Sequence, residues 1–68
     1  MEIKVKEMIQ KKQLTIRKAA KLCGIYHSTM IDICSGKVLP RLDTLESIAQ
    51  GLGCYMEDLY DSPFKRRP

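Results

Sequence analysis

The chain has 68 residues, enough for one domain and too few for a separate sensor domain or a deep catalytic pocket. Twelve lysines and arginines against eight acids leave a net charge of +4, which points toward a polyanionic partner. Three cysteines without a C-x-x-C spacing and a single histidine, His27, argue against a zinc site or a disulfide framework, and MEIKVKEMIQKKQ at the start has no apolar run suited to secretion or membrane insertion, so a reducing cytoplasm is expected.

In chain order, apolar residues recur at helical spacing, and nowhere do apolar and polar residues alternate over a strand length. Val5, Met8 and Ile9 predict a first helix. Ile16, Ala19, Ala20 and Cys23 stand at i, i+3, i+4 and i+7, one face of a second helix that Thr15 is placed to cap. Gly24 follows, where a left-handed residue would stop the helix. Met30, Ile33 and Cys34 stripe a third helix near residues 27–35, closed by Gly36 in the same way. Pro40 precedes a fourth, whose apolar face is Leu42, Leu45, Ile48, Ala49 and Leu52; Asp43 favours its positive N-terminal end, and Gly53 ends it. Met56, Leu59 and Tyr60 predict a last short helix, closed by Ser62 and Pro63. The expectation is an all-α domain of five short helices over residues 1–62, held by tertiary packing because none would be stable alone. A flexible basic tail, residues 63–68, is expected to follow.

The charges are segregated. Residues 1–41 carry nine Lys/Arg and three Asp/Glu, whereas residues 42–62 carry five acids and no Lys/Arg. Yet between Gly24 and Gly36, inside the basic part, the only formal charge is Asp32.

The second and third helices, about eight residues each around a turn of about three, have helix-turn-helix proportions. The segment LTIRKAAKLCGIYHSTMIDICSGKVLPRLDTLESIAQGLGCYMEDL resembles the Cro and phage-repressor type of helix-turn-helix protein, the XRE family. The resemblance is carried by Leu14-Thr15, Ala20, Gly24-Ile25, Ser28-Thr29-Met30, Ile33, Gly36-Lys37, Pro40, Leu42, Thr44-Leu45, Ile48-Ala49 and Leu52-Gly53, and covers most of the chain.

This resemblance implies a compact five-helix, lambda-repressor-like domain that binds double-stranded DNA. It further implies a homodimer on a two-fold symmetric operator, acting in transcription regulation as a repressor. No enzyme activity, cofactor, metal, small-molecule ligand or membrane is implied. In the family the third helix enters the major groove by its N-terminal part, and the second lies across the backbone. Carried to this chain, His27, Ser28 and Asp32 face the bases with Ile31 beside them. Thr15, Arg17 and Lys18 at the second helix, and Lys37 and Arg41 after the third, face phosphates. A reading helix without basic residues is consistent with this, because most affinity comes from phosphate contacts elsewhere.

Three departures from the family pattern carry expectations of their own. Ile16 stands where Gln is common, on the core stripe. Tyr26 stands where Ser or Thr usually caps the third helix, so Ser28 is an alternative cap that would shift the helix start. Ile9 and Cys34 stand where an Arg–Glu pair is frequent; both partners are apolar here, and the two are expected to touch. Several residues admit a second role. Asp32 also fits as a solvated helix residue, and Ile31 as part of a protein interface. Met56, Leu59, Tyr60 and Phe64 fit either core or a dimer seam. A protein-interaction module on the same scaffold, an antitoxin or a mobile-element partner, is the alternative function.

Overall fold

The computed structural model describes residues 1–66; Arg67 and Pro68, the end of the expected flexible tail, lie outside the described residues. Four α-helices run in order: α1 (Val5–Lys11), α2 (Ile16–Cys23), α3 (His27–Ser35) and α4 (Leu42–Leu52). Thr15 starts α2 as its spacing predicts, its Oγ1 accepting from the Lys18 N–H at 3.0 Å. Gly24 and Gly36 close α2 and α3 with φ of 70° and 81°, a left-handed turn that a residue with a Cβ would strain to make.

The expected fifth helix is not there. Residues Met56–Asp58 make a single 3-10 turn, in which the Tyr55 N–H donates to Asp58 Oδ2 at 3.1 Å. The chain then extends, and Tyr60–Asp61 (β2) pairs antiparallel with Glu2–Ile3 (β1), Glu2 opposite Asp61 and Ile3 opposite Tyr60. The Lys4 N–H donates to the Leu59 carbonyl at 2.7 Å and extends this clasp between the two ends. Met56, Leu59 and Tyr60 are too few to sustain a helix, and backbone pairing with the N-terminal segment takes its place. Strands this short leave no alternation in the sequence to detect.

Val5 and Ile9 of α1, Ala19 and Ala20 of α2, Met30 and Ile33 of α3, Leu45, Ile48 and Leu52 of α4, and Leu59 form one core. α2 packs against both α4 and α3, and α1 against α3. Leu42, expected on the core face, is 74% exposed, and Phe64, which fitted either core or a dimer seam, is 95% exposed and so is not core. Leu42 is the first residue of α4, before the helix has turned its face fully onto α2. Phe64 lies past the β2 clasp, where Lys65 takes over the contacts: its Nζ donates to the carbonyls of Glu57 and Tyr60 and sits 5.2 Å from the Tyr60 ring centroid.

All three thiols are free. Burial pushes each of them up from the ordinary value, with neighbouring Cys54 adding to the effect at Cys23 and Asp58 at Cys54. At Cys34, Lys6 of α1 pulls the other way, which places α1 beside this end of α3. Because the folded chain holds these protons more tightly, their stabilising contribution is present below the unfolded value and is lost as pH rises past about 9. Urea melts above that pH should show lower stability than at neutral pH, and at neutral pH Cys23, the buried thiol, should alkylate slowly until urea unfolds the chain, with Cys34 and Cys54 reacting sooner. Fast alkylation of Cys23 in the folded protein would contradict its burial.

Candidate nucleic-acid interface

α2 and α3 share the turn Gly24-Ile25-Tyr26, and the Ile25 N–H donates back to the Ala20 carbonyl at 3.0 Å. That bond, the α2–α3 packing and the burial of Met30 and Ile33 fix α3 on the body of the domain. Its other side faces solvent. His27, Ser28, Ile31 and Asp32 stand at i, i+1, i+4 and i+5, two adjoining rows of one helix face. Ser28 is exposed, Ile31 is 42% exposed, and His27 and Asp32 are half-buried. The four sequence-predicted reading residues therefore come together on one surface.

The Asp32 carboxylate makes no ion pair or hydrogen bond among the described residues, whereas its backbone carbonyl accepts from the Lys37 N–H at 2.9 Å, the Val38 N–H at 3.4 Å and the Ser35 hydroxyl at 3.1 Å. The helix end is thus satisfied by the backbone, and the side chain is left available as an acceptor.

The helix begins at His27 with Tyr26 as its N-cap residue, and no side chain caps it. The alternative cap at Ser28 is not used: Ser28 lies inside the helix, where its hydroxyl faces solvent. Tyr26 is 83% exposed at the mouth of the turn, and with Lys21 it borders a shallow hollow floored by Ala20 and Ile25. Thr29 is a further exposed α3 residue beyond the four predicted. Neither had a signal in the apolar periodicity, which marks only what is buried.

The basic residues flank this face in the chain. Arg17 and Lys18 are exposed in the first turn of α2. Thr15 Oγ1 is already engaged by the Lys18 N–H, so it supports the helix end rather than presenting a free hydroxyl. The N–H groups of Ile16 and Arg17 are those that helix geometry leaves without an intrahelical partner, and the helix dipole adds a partial positive charge beside them. Lys37 is exposed in the connection after α3. Arg41, the residue before α4, holds its Nε 3.5 Å from Asp43 Oδ1, with both side chains largely in solvent. Such a pair is weak in water and readily exchanged for a phosphate.

Among the described residues, no group of His, Cys, Asp and Glu is arranged to hold a metal, and no helix is long and apolar enough to cross a membrane. Two short helices joined by a tight turn, the second projecting a polar face between basic segments, define a helix-turn-helix DNA-binding domain. The sequence model of the Cro/C1-type HTH DNA-binding domain matches residues 4–65, and the chain belongs to that family. No curated protein matches the chain, and no solved structure does.

Proposed function

We propose that the protein is a sequence-specific, double-stranded-DNA-binding transcriptional regulator that acts as a repressor. In this reading it is a cytoplasmic homodimer on a two-fold symmetric operator, with residues 1–62 as the binding domain and the basic residues 63–68 as an appended tail. His27, Ser28, Ile31 and Asp32 read base edges. Thr15 at the α2 cap, with Arg17, Lys18, Lys37 and Arg41, holds phosphates. The observation that carries the reading is the α3 surface itself: four chemically different side chains on one solvent-facing side, without a Lys or Arg, on a helix anchored by Met30 and Ile33. A face of that kind adds little to electrostatic attraction and is suited to discrimination.

Each side chain has a distinct partner in the major groove. His27 donates to a guanine or thymine acceptor, Ser28 donates or accepts, and Ile31 packs on a thymine methyl. Asp32 accepts from cytosine N4 and repels phosphate. Asp32→Asn turns an acceptor-only group into an amide suited to adenine N6 and N7 while removing a negative charge. The expected result is a preference shift of about 1–3 kcal/mol between cytosine- and adenine-bearing sites at one position. Binding to random duplexes should tighten at the same time. An operator selected from a random duplex pool, and its single-base variants, provide the measurement at fixed salt. If wild type and variant rank the panel identically, Asp32 does not read. If wild type ranks nothing, the regulator reading fails and the protein-interaction module takes its place.

A further inference from the structure

α1 ends on a backbone turn that glycine makes most easily, and this chain makes it with glutamine. Gln13 has φ of 58°, the only positive φ outside glycine among the described residues. Its N–H donates to the Gln10 carbonyl at 2.9 Å, and the Leu14 N–H donates to the Ile9 carbonyl at 3.1 Å. These two bonds close α1 and turn the chain toward α2, and they require the left-handed conformation at Gln13. A Cβ is crowded there, whereas Gly24, Gly36 and Gly53 make the same stop after the other three helices without that cost.

Nothing within the fold offsets the strain. The Gln13 side chain is exposed and makes no hydrogen bond, ion pair or ring contact among the described residues. Strain held without an internal partner is typical of residues that serve a ligand. Its surroundings specify the ligand. Gln13 stands two residues before Thr15, so the two Cα atoms lie within about 7 Å of each other. No acid occurs between Glu7 and Asp32, whereas Lys11, Lys12, Arg17, Lys18 and Lys21 do, and all five are exposed. A carboxamide N–H₂ in such a segment suits an anionic acceptor.

We infer, on the DNA-binding role proposed above, that Gln13 is a further DNA-holding residue, whose carboxamide donates to a backbone phosphate beside those assigned to Thr15, Arg17 and Lys18. A phosphate contact carries no base preference, so Gln13 acts on affinity and leaves reading to α3. The amide is neutral and displaces no counterion, so its contribution is independent of salt, unlike that of the cations around it.

Two variants of the full chain separate this role from an ordinary helix stop. Gln13→Gly removes the strain and the amide together. It should melt about 4–8 °C higher than wild type. It should also bind the selected operator and random duplexes about tenfold more weakly, the weight of one hydrogen bond to a charged group, with an unchanged salt slope. Gln13→Lys keeps the Cβ and puts a cation at similar reach. Its melting temperature should match wild type, and its affinity for both duplexes should rise. Its log–log salt slope should steepen by roughly one for each copy bound.

A Gly variant that melts higher and binds as tightly as wild type would reduce Gln13 to a helix stop and overturn the inference. So would a Lys variant with the salt slope of wild type. A Gly variant that melts lower would show that the position is unstrained, which overturns it as well. Wild type that binds no duplex defeats the proposed function and this inference with it. Wild-type binding that neither variant alters defeats the inference alone.

Discussion

Affinity for duplex DNA should fall by about 10³–10⁵ between about 50 and 200 mM salt if a dimer neutralises ~6–10 phosphates. The physical reason is that each neutralised phosphate releases a condensed counterion, and the entropy of that release shrinks as bulk salt rises. The cations assigned to phosphates in the proposed function lie at two places in each copy, Arg17 and Lys18 in the first turn of α2 and Lys37 and Arg41 between α3 and α4. All four are exposed, and only Arg41 has an ion-pair partner to give up, a solvent-facing one at 3.5 Å. Changing Lys37 or Arg41 to Ala should lower affinity for operator and random DNA alike. It should also reduce the log–log salt slope by roughly one for every phosphate that the dimer then leaves unneutralised. Changes on the α3 face should leave that slope almost untouched and act on preference instead. Equilibrium binding titrations at several salt concentrations give the slope directly. An affinity indifferent to salt would mean that these cations do not touch phosphate.

The segregation of charge and the helical period were already visible in the sequence, because both are local properties of the chain. Thr15, Gly24, Met30, Ile33 and Gly36 could be placed on caps, turns and faces from spacing alone, and Ser28 only through the family resemblance. The structure agrees on each of these, apart from the alternative cap at Ser28. What spacing could not supply was anything set by partners distant in sequence. The strands Glu2–Ile3 and Tyr60–Asp61 exist only because the two ends meet, and neither segment carries a sheet signal of its own. For the same reason Met56, Leu59 and Tyr60, a fair helical triad, became one 3-10 turn and a strand residue. Leu42 shows the converse error. Its period was right and its burial wrong, since a helix face is covered only where another element lies over it. Ile9 and Cys34 stand between these cases: Ile9 is buried and Cys34 packs against the same core, on helices that are in contact. Which residues of the α3 face touch which bases is a property of the complex, and it is the part that the Asp32→Asn panel addresses.

Gly51→Ala should lower the melting temperature by about 5–15 °C, corresponding to a net destabilisation of ~1–2 kcal/mol in a domain of this size. By helix propensity alone the change should help, because Gly inside a helix is about 0.5–1 kcal/mol worse than Ala. Gly51 lies in the last turn of α4 and has no positive φ to protect. The opposing effect is crowding between helices. A Cβ at Gly51 would stand 2.7 Å from Cys23 Cα, 2.7 Å from Cys23 Sγ and 2.8 Å from the Leu22 carbonyl oxygen. Two of these atoms are backbone, so no rotamer change relieves them, and α4 must move away from α2. Overpacking of this kind costs about 1–3 kcal/mol, occasionally more, which is enough to outweigh the propensity gain. Separation of α2 from α4 would also stretch the bond from the Cys23 thiol to the Ile48 carbonyl, 3.7 Å here, and shift Arg41 at the head of α4 relative to Arg17 and Lys18. DNA affinity should therefore fall with stability, without a change in base preference, because α3 keeps its own face. Adding Cys23→Ala removes only the clash with sulfur, so the double variant should recover part of the stability and not all of it. Full recovery would mean that the sulfur alone sets the spacing. A Gly51→Ala protein that melts higher than wild type would mean that α2 and α4 lie farther apart than a close approach at glycine requires.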